Sequence, residues 1–158
     1  MRGDGTIIEL LNDVLTAELT AINQYFVHAE MCENWGYDRL HAVIRKHSIG
    51  EMKHAEELIE RVLFLEGIPN VQRLGKINIG EDVPEILKSD YALELDALPR
   101  LNAGIEKCRE LGDNNSRLLL EAILHDEEEH VDWLEAQMAL VEQVGLQGYL
   151  TQQIRSES

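Results

Sequence analysis

The chain has few of the residues that mark disulfide-rich, loop-rich or β-rich proteins. Its 158 residues include only two cysteines, three prolines and 5% aromatic residues. Cys32 and Cys108 stand alone, without the Cys-x-x-Cys spacing of redox and zinc motifs, so we expect free thiols in a reducing compartment. With 44% hydrophobic and 28% charged residues, the composition predicts one helix-rich domain over residues 1–158.

Basic residues and long apolar runs are scarce as well. Lysine and arginine number 14 against 30 acidic residues, which gives a net charge of −16. This charge repels nucleic-acid phosphates and anionic membranes and attracts cations, so it favours a metal ion or a basic partner. No apolar run approaches the roughly 18 residues of a membrane span, and the opening segment MRGDGTIIEL lacks the layout of a signal peptide. We expect a cytoplasmic protein that binds neither nucleic acid nor membranes.

Four long segments carry apolar residues at steps of three and four, which is the period of an amphipathic α-helix. The pattern predicts an all-α fold, a four-helix bundle with a short fifth helix at the C-terminus. The predicted helices cover about 5–34, 37–65, 83–111, 115–144 and 146–153. Pro99 removes one backbone hydrogen bond, so we expect it to bend the third helix without ending it.

The segment between the second and third helices, about 66–82, has little helical period. When extended, a chain of this length can cross the whole length of a helix of about 30 residues. A loose connection back to the near end of the bundle is sterically possible too. The length of this segment therefore leaves the direction of the third helix open.

Four glutamates and two histidines form a pattern that occurs twice, at an offset of 76 residues. The first copy consists of Glu18, Glu51 and His54, and the second of Glu94, Glu127 and His130. All six lie on the apolar faces of the predicted helices, which argues against a set of surface glutamates and ordinary histidines. A Glu from each of two helices and a Glu-x-x-His from each of two others is the ligand set of a bridged di-iron or di-manganese centre.

The predicted turns bring these residues to the same level. The midpoint between Glu18 and Glu51 is position 34.5, beside Gly36, and the midpoint between Glu94 and His130 is position 112. Folding each half as an antiparallel hairpin therefore places its ligands side by side. Four converging carboxylates repel one another, and two divalent cations remove that repulsion.

Two further residues have more than one interpretation. Tyr25 lies two turns after Glu18 on the same helix face, where it is an electron donor or hydrogen-bond partner for the metals, or an ordinary core tyrosine. Met52 follows Glu51 and so points off the metal-facing stripe. Its thioether either packs on a neighbouring subunit, the interpretation that the residue alone favours, or serves as a soft ligand.

Several segments resemble the bacterioferritin family, and the resemblance covers nearly the whole chain. They are MRGD, AELTAINQYF, GEMKHAEELIERVLFLEGIPN, LGKINIGEDV, DEEEHVDWLE and VGLQGYL. The Met of the Glu51-Met52-Lys53-His54 motif is the feature that sets the haem-binding members apart within the ferritin superfamily. The resemblance implies a ferritin-like bundle with a long crossover between the second and third helices.

It also implies a function, iron storage and detoxification in a hollow homo-oligomeric shell of 24 subunits. The six repeated residues would then hold two irons per subunit as a ferroxidase centre that oxidises Fe(II) with dioxygen or peroxide. Glu51 and Glu127 would bridge the irons, and Glu18 and Glu94 would be terminal ligands. Met52 from two subunits would hold one haem b, which carries electrons from a ferredoxin-type reductant to the stored mineral.

One departure from the family concerns the inner surface of the shell. Where many members have a His and an Asp that bind iron, this chain has Lys46 and Gly50, neither of which is a useful iron ligand. We expect an altered route for iron or electrons into the cavity. Two rival functions stay open at this point: a rubrerythrin-like di-iron oxidase or peroxidase that stores nothing, and a haem or metal carrier.

Overall fold

The computed structural model of the chain describes residues 1–155, and within this range it contains five helices and no strand. The helices are α1 (Gly5–Asn34), α2 (Asp38–Phe64), α3 (Val83–Glu110), α4 (Asn114–Val144) and α5 (Leu146–Gln153). The predicted all-α four-helix bundle with a short fifth helix is confirmed. Cys32 and Cys108 are both buried and unpaired. No helix in the described part of the chain is both long and apolar enough to cross a membrane.

Short turns join the helices of each hairpin. Gly36 between α1 and α2 has a φ of 88°, and Gly112 between α3 and α4 has a φ of 74°, a region that glycine enters without a steric penalty. The helix that follows the second turn begins under an N-cap, because Asp113 accepts a hydrogen bond from the Ser116 N–H. Pro99 lies inside α3, which continues through it to Glu110.

The core consists of two apolar clusters with the repeated Glu and His residues between them. One cluster packs residues 7–15 of α1 on residues 55–62 of α2 and on the C-terminal half of α3. The other contains Leu40 and Ile44 of α2, Ile86 and Leu87 of α3, and Leu134 of α4. Since α2 and α3 both run from the second cluster to the first, they are parallel to each other. A parallel pair requires a long connection, so the expected crossover is confirmed.

The crossover is fastened along α1 by polar side chains that recur at every fourth residue. These side chains are Asn12, Thr16, Thr20, Gln24 and His28, and we call them the polar ladder. Their donors on the crossover follow in the same order along the chain. Four are backbone N–H groups: Asn70 donates to Asn12 Oδ1 at 2.8 Å, Gly75 to Thr20 Oγ1 at 2.8 Å, Asn78 to Gln24 Oε1 at 3.0 Å and Gly80 to His28 Nε2 at 3.0 Å. The fifth is the Arg73 side chain, whose Nε donates to Thr16 Oγ1 at 3.1 Å.

The end of the polar ladder ties three elements into one buried network. Because His28 Nε2 accepts from Gly80, its Nδ1 carries the hydrogen that bonds Asp90 of α3 at 2.8 Å. Gln24 Nε2 donates to the same carboxylate oxygen at 2.9 Å. Gln24 and His28 are fully buried and Asp90 is 3% exposed, so breaking this network would leave polar groups without partners inside the protein.

Gly80→Ala should destabilise the protein. A Cβ at this position would lie 2.5 Å from the Ile86 backbone nitrogen, so the backbone has to move and the bond to His28 is strained. We expect a loss of about 1–3 kcal/mol and an apparent unfolding temperature several degrees lower. Gly5→Ala is the control, because nothing lies within 4 Å of its added Cβ. Equal unfolding temperatures for the two variants would contradict the role given to the network.

Candidate metal centre

The bundle brings the six repeated residues into one buried cluster midway along its four long helices. The side chains of Glu18, Glu51, Glu94 and Glu127 are each 4% exposed or less. His54 and His130 are 7% and 12% exposed at the side chain. All six residues that the sequence predicts for the site therefore lie together.

The cluster divides into two groups of four residues that share two glutamates. One group contains Glu18, Glu51, His54 and Glu127, and the other contains Glu51, Glu94, Glu127 and His130. Within each group the potential ligand atoms all lie within 4.8 Å of one another. Two sets of potential ligands with two carboxylates in common suit a pair of neighbouring metal ions.

The distances from the two imidazoles separate the shared carboxylates from the others. His54 Nδ1 lies 3.8 Å from Glu51 Oε2 and 3.3 Å from Glu127 Oε1, and His130 Nδ1 lies 3.3 Å from Glu51 Oε1 and 3.5 Å from Glu127 Oε2. Each shared glutamate thus turns one oxygen towards each histidine. Glu18 lies 3.5 Å from His54 Nδ1, and Glu94 lies 3.2 Å from His130 Nδ1.

The cluster contains five buried polar atoms that have no hydrogen-bond partner among the described residues. These atoms are Glu18 Oε2, Glu51 Oε1, His54 Nδ1, Glu94 Oε2 and Glu127 Oε1. Leaving even one such atom unsatisfied costs about 1–3 kcal/mol, and five of them at one point mark a place for a ligand. Carboxylate oxygens and imidazole nitrogens are suitable donors for iron and manganese.

The electrostatics of the cluster favour the binding of positive charge. Burial lowers the pKa of each histidine, but the surrounding carboxylates outweigh it and raise the pKa of His54 to about 11 and that of His130 to about 12. Burial, followed by the neighbouring Glu127, raises the pKa of Glu94 to about 8. The carboxylates therefore favour positive charge inside the cluster.

Tyr25, the auxiliary residue predicted from the sequence, lies at the edge of the cluster. Its hydroxyl donates a hydrogen bond to Glu94 Oε1. Its ring meets the ring of His130 edge-on, with centroids 6.4 Å apart. Burial and the Glu94 charge hold the pKa of Tyr25 well above its ordinary value, so the hydroxyl stays protonated and orients this carboxylate.

Three residues that hold the two histidines in place were not identified from the sequence. Asp126 accepts a hydrogen bond from His54 Nε2 at 2.7 Å. His47 stacks on His130 with ring centroids 4.1 Å apart, and Trp133 meets His47 edge-on at 5.1 Å. Burial, aided by the charges of His130 and Lys46, lowers the pKa of His47 to about 3, so its ring is neutral. Asp126 and Trp133 flank the second Glu-x-x-His motif, which is the one sequence signal that pointed to them.

A cavity of about 460 Å³ leads to the cluster from the side of the crossover. All four repeated glutamates line its inner part, and the crossover contributes a wall that includes Arg73, Lys76 and Asn78. The opening lies between α1 and α3, so the metal site is open to small solutes without unfolding of a helix.

Met52 lies outside the cluster, as its position one residue after Glu51 predicts. Its side chain is 53% exposed on α2, and Phe26 on the neighbouring α1 is 54% exposed. Both are exposed apolar side chains, on two helices that pack against each other.

Comparison with known proteins agrees with this geometry. The family model described as a ferritin-like domain matches residues 8–144. Bacterioferritin BfrA of Mycobacterium tuberculosis is 49% identical over 152 residues, which are 96% of each chain. Bacterioferritin of Streptomyces coelicolor is 48% identical and covers 96% of this chain and 90% of its own, and that of Rhodobacter capsulatus is 46% identical and covers 94% and 92%. The chain therefore belongs to the bacterioferritin family of ferritin-like proteins.

Proposed function

We propose that this protein stores and detoxifies iron, and that it is a ferroxidase that oxidises Fe(II) to Fe(III) with dioxygen or peroxide. The observation that carries the proposal is the pair of four-residue groups sharing Glu51 and Glu127, with five buried polar atoms left without partners. Kinship with bacterioferritins supports the same function. The negative charge of −16 adds a general attraction for Fe(II).

The proposed ligand roles follow the distances within the cluster. Glu51 and Glu127 would be shared by two irons, because each turns one oxygen towards each histidine. Glu18 is a terminal ligand beside His54, and Glu94 is a terminal ligand beside His130. Each histidine supplies Nδ1 to one iron. Two Fe(II) ions held in this way would each give up one electron, which together reduce one oxidant molecule by two electrons.

The remaining side chains hold these ligands in place. Asp126 accepts the Nε2 hydrogen of His54, which leaves Nδ1 as the nitrogen that can bind metal. The Tyr25 hydroxyl bonds Glu94 and limits its rotation, and we propose an auxiliary role for Tyr25 as a hydrogen-bond or electron donor. The cavity between α1, α3 and the crossover gives Fe(II) and the oxidant access to the carboxylates.

For Met52 we propose the role of axial ligand to haem b, with one haem held between two subunits. The exposed thioether and the exposed Phe26 ring suit this role, because a thioether can serve as an axial ligand to haem iron and an aromatic ring can contact the apolar macrocycle. A ferredoxin-type reductant would pass electrons through this haem to the ferric mineral. A haem or metal carrier without oxidase activity is the alternative that the tests below separate.

Glu127→Gln should abolish rapid iron oxidation. The substitution keeps the shape of the side chain but removes the charge from a buried residue that faces both histidines. We expect the initial rate of Fe(II) oxidation to fall more than tenfold and the stabilisation of the fold by divalent metal to shrink. Glu128→Gln is the matched control, because Glu128 is its exposed neighbour. Normal oxidation by Glu127→Gln would refute the ferroxidase proposal.

The storage function can be tested by the size and iron content of the assembly. A shell of 24 chains of 18.0 kDa has a mass of about 430 kDa. After anaerobic addition of excess Fe(II) and admission of air, we expect far more than two irons per subunit to stay with this species on size-exclusion chromatography. A small oligomer that retains two irons per subunit would instead favour the rubrerythrin-like alternative, in which no iron is stored.

Met52→Leu should remove the haem and leave the shell intact. Leucine keeps the apolar surface but lacks the sulfur that binds haem iron. We expect the haem absorption of purified protein to vanish while the assembly keeps its size. Met31→Leu, at a partly buried position of α1, serves as the control. Haem retained at its normal ratio to protein in Met52→Leu would rule out the axial role.

A further inference from the structure

The imidazoles of His54 and His130 are held in orientation by different kinds of contact. His54 has a charged partner, because its outer nitrogen Nε2 bonds Asp126 at 2.7 Å. For His130 the residues in the described range 1–155 provide no hydrogen bond to Nε2, and its bonded nitrogen is Nδ1, which faces Glu94. Two ligands related by the sequence repeat therefore differ in what fixes their orientation.

The repeat itself identifies the missing partner. Asp126 directly precedes Glu127, and the residue 76 positions earlier, directly before Glu51, is Gly50. In the first half of the chain the position that would supply a carboxylate to His130 therefore has no side chain. The backbone would accept one, because a Cβ added to Gly50 meets no heavy atom within 4 Å.

An aromatic contact occupies the same side of the cluster. The ring of His47 lies one turn before Glu51 and stacks on His130, with centroids 4.1 Å apart and planes inclined by 29°. Trp133 packs edge-on against His47 at 5.1 Å and an angle of 89°, which fixes the stacking ring in turn. The counterpart of His47 in the second half of the chain is Ile123, a buried aliphatic residue, so this contact has no equivalent beside His54.

The position of His47 argues for packing rather than metal binding. It belongs to neither of the two groups whose ligand atoms lie within 4.8 Å of one another. Its ring instead covers a face of His130 and opposes rotation of that imidazole out of the plane in which Nδ1 points at Glu51, Glu94 and Glu127. A ligand held in its binding orientation loses less freedom when the metal binds.

We propose that His47 is a positioning residue for His130, and that its stacked ring replaces the carboxylate that the repeat would place at Gly50. The proposal rests on the di-metal site proposed above. It predicts that loss of the stack weakens the metal position beside His130 and leaves the position beside His54 unchanged. Either an aromatic ring at position 47 or a carboxylate at position 50 should then be sufficient to hold the His130 imidazole in its metal-binding orientation.

Anaerobic titration of the apo-protein with Co(II), followed by visible absorption and calorimetry, tests this without any oxidation reaction. The wild type should bind two Co(II) per subunit. We expect His47→Ala to keep one site at wild-type affinity and to lower the Co(II) affinity of the other about tenfold or more. Loss of a residue that orients a metal ligand commonly has an effect of this size. His47→Phe, which keeps a ring but no nitrogen, should restore the weakened site, and Gly50→Asp in the His47→Ala protein should restore it too. Lys88→Ala, at an exposed residue of α3 outside the cluster, should match the wild type.

The outcomes separate the two proposals. Two unchanged Co(II) sites in His47→Ala would overturn the positioning role and leave the di-metal site standing. A weakened site that neither His47→Phe nor Gly50→Asp restores would also overturn it, because the imidazole nitrogen would then be what matters. A wild type that binds no Co(II) pair would overturn the di-metal site and this inference with it. Unfolding temperatures of the apo-proteins show that each variant is folded, so a change in one site cannot be attributed to general loss of structure.

Discussion

Four carboxylates meet in the interior of one bundle, and their mutual repulsion is the constraint on which the structure depends. Placing them there without compensation is strongly unfavourable, since each loses its hydration and faces three others. In the described chain the two imidazoles offset part of this repulsion, because the surrounding carboxylates raise the pKa of both histidines. Two divalent cations bound there would satisfy the five buried atoms that otherwise lack partners. The affinity for metal and the cost of the buried charge thus have one origin.

This constraint explains how apolar and charged residues are distributed along each helix. Every long helix passes from one apolar cluster, through the charged level, to the other cluster, so hydrophobic packing on both sides supports the unfavourable centre. α1 has a further task, because its polar ladder binds the crossover while Glu18 faces the cluster. Glu18 is two residues from both Thr16 and Thr20, a rotation of about 200°, so the ladder and the ligand lie on opposite sides of the helix. One helix can therefore anchor the crossover without disturbing the site.

Much of this arrangement could be predicted from the sequence, because it depends on periodicity. The 76-residue offset, the helical phase of the six residues and the turns at Gly36 and Gly112 were enough to predict the bundle and the convergence of the cluster. The direction of the crossover could not be predicted from its length, because the bonds that fix it run from ordinary-looking polar residues on α1 to backbone groups. The stack of His47 on His130 was equally hidden, since it joins two helices whose relative rotation the sequence does not specify.

The repeat also shows how far the symmetry of the two halves extends. The six residues of the cluster obey it, because each half of the chain supplies one Glu and one Glu-x-x-His to the same level of the bundle. The surroundings of the two histidines do not follow the repeat. The Asp126 carboxylate bonds His54, whereas the rings of Tyr25 and His47 pack against His130. A hydrogen bond to a carboxylate makes an imidazole a more basic ligand, whereas a stacked ring fixes its orientation and adds no charge. The two halves therefore present the same donor atoms in unequal surroundings, and the inequality arises where the repeat breaks: the first half has Gly50 and His47 where the second has Asp126 and Ile123.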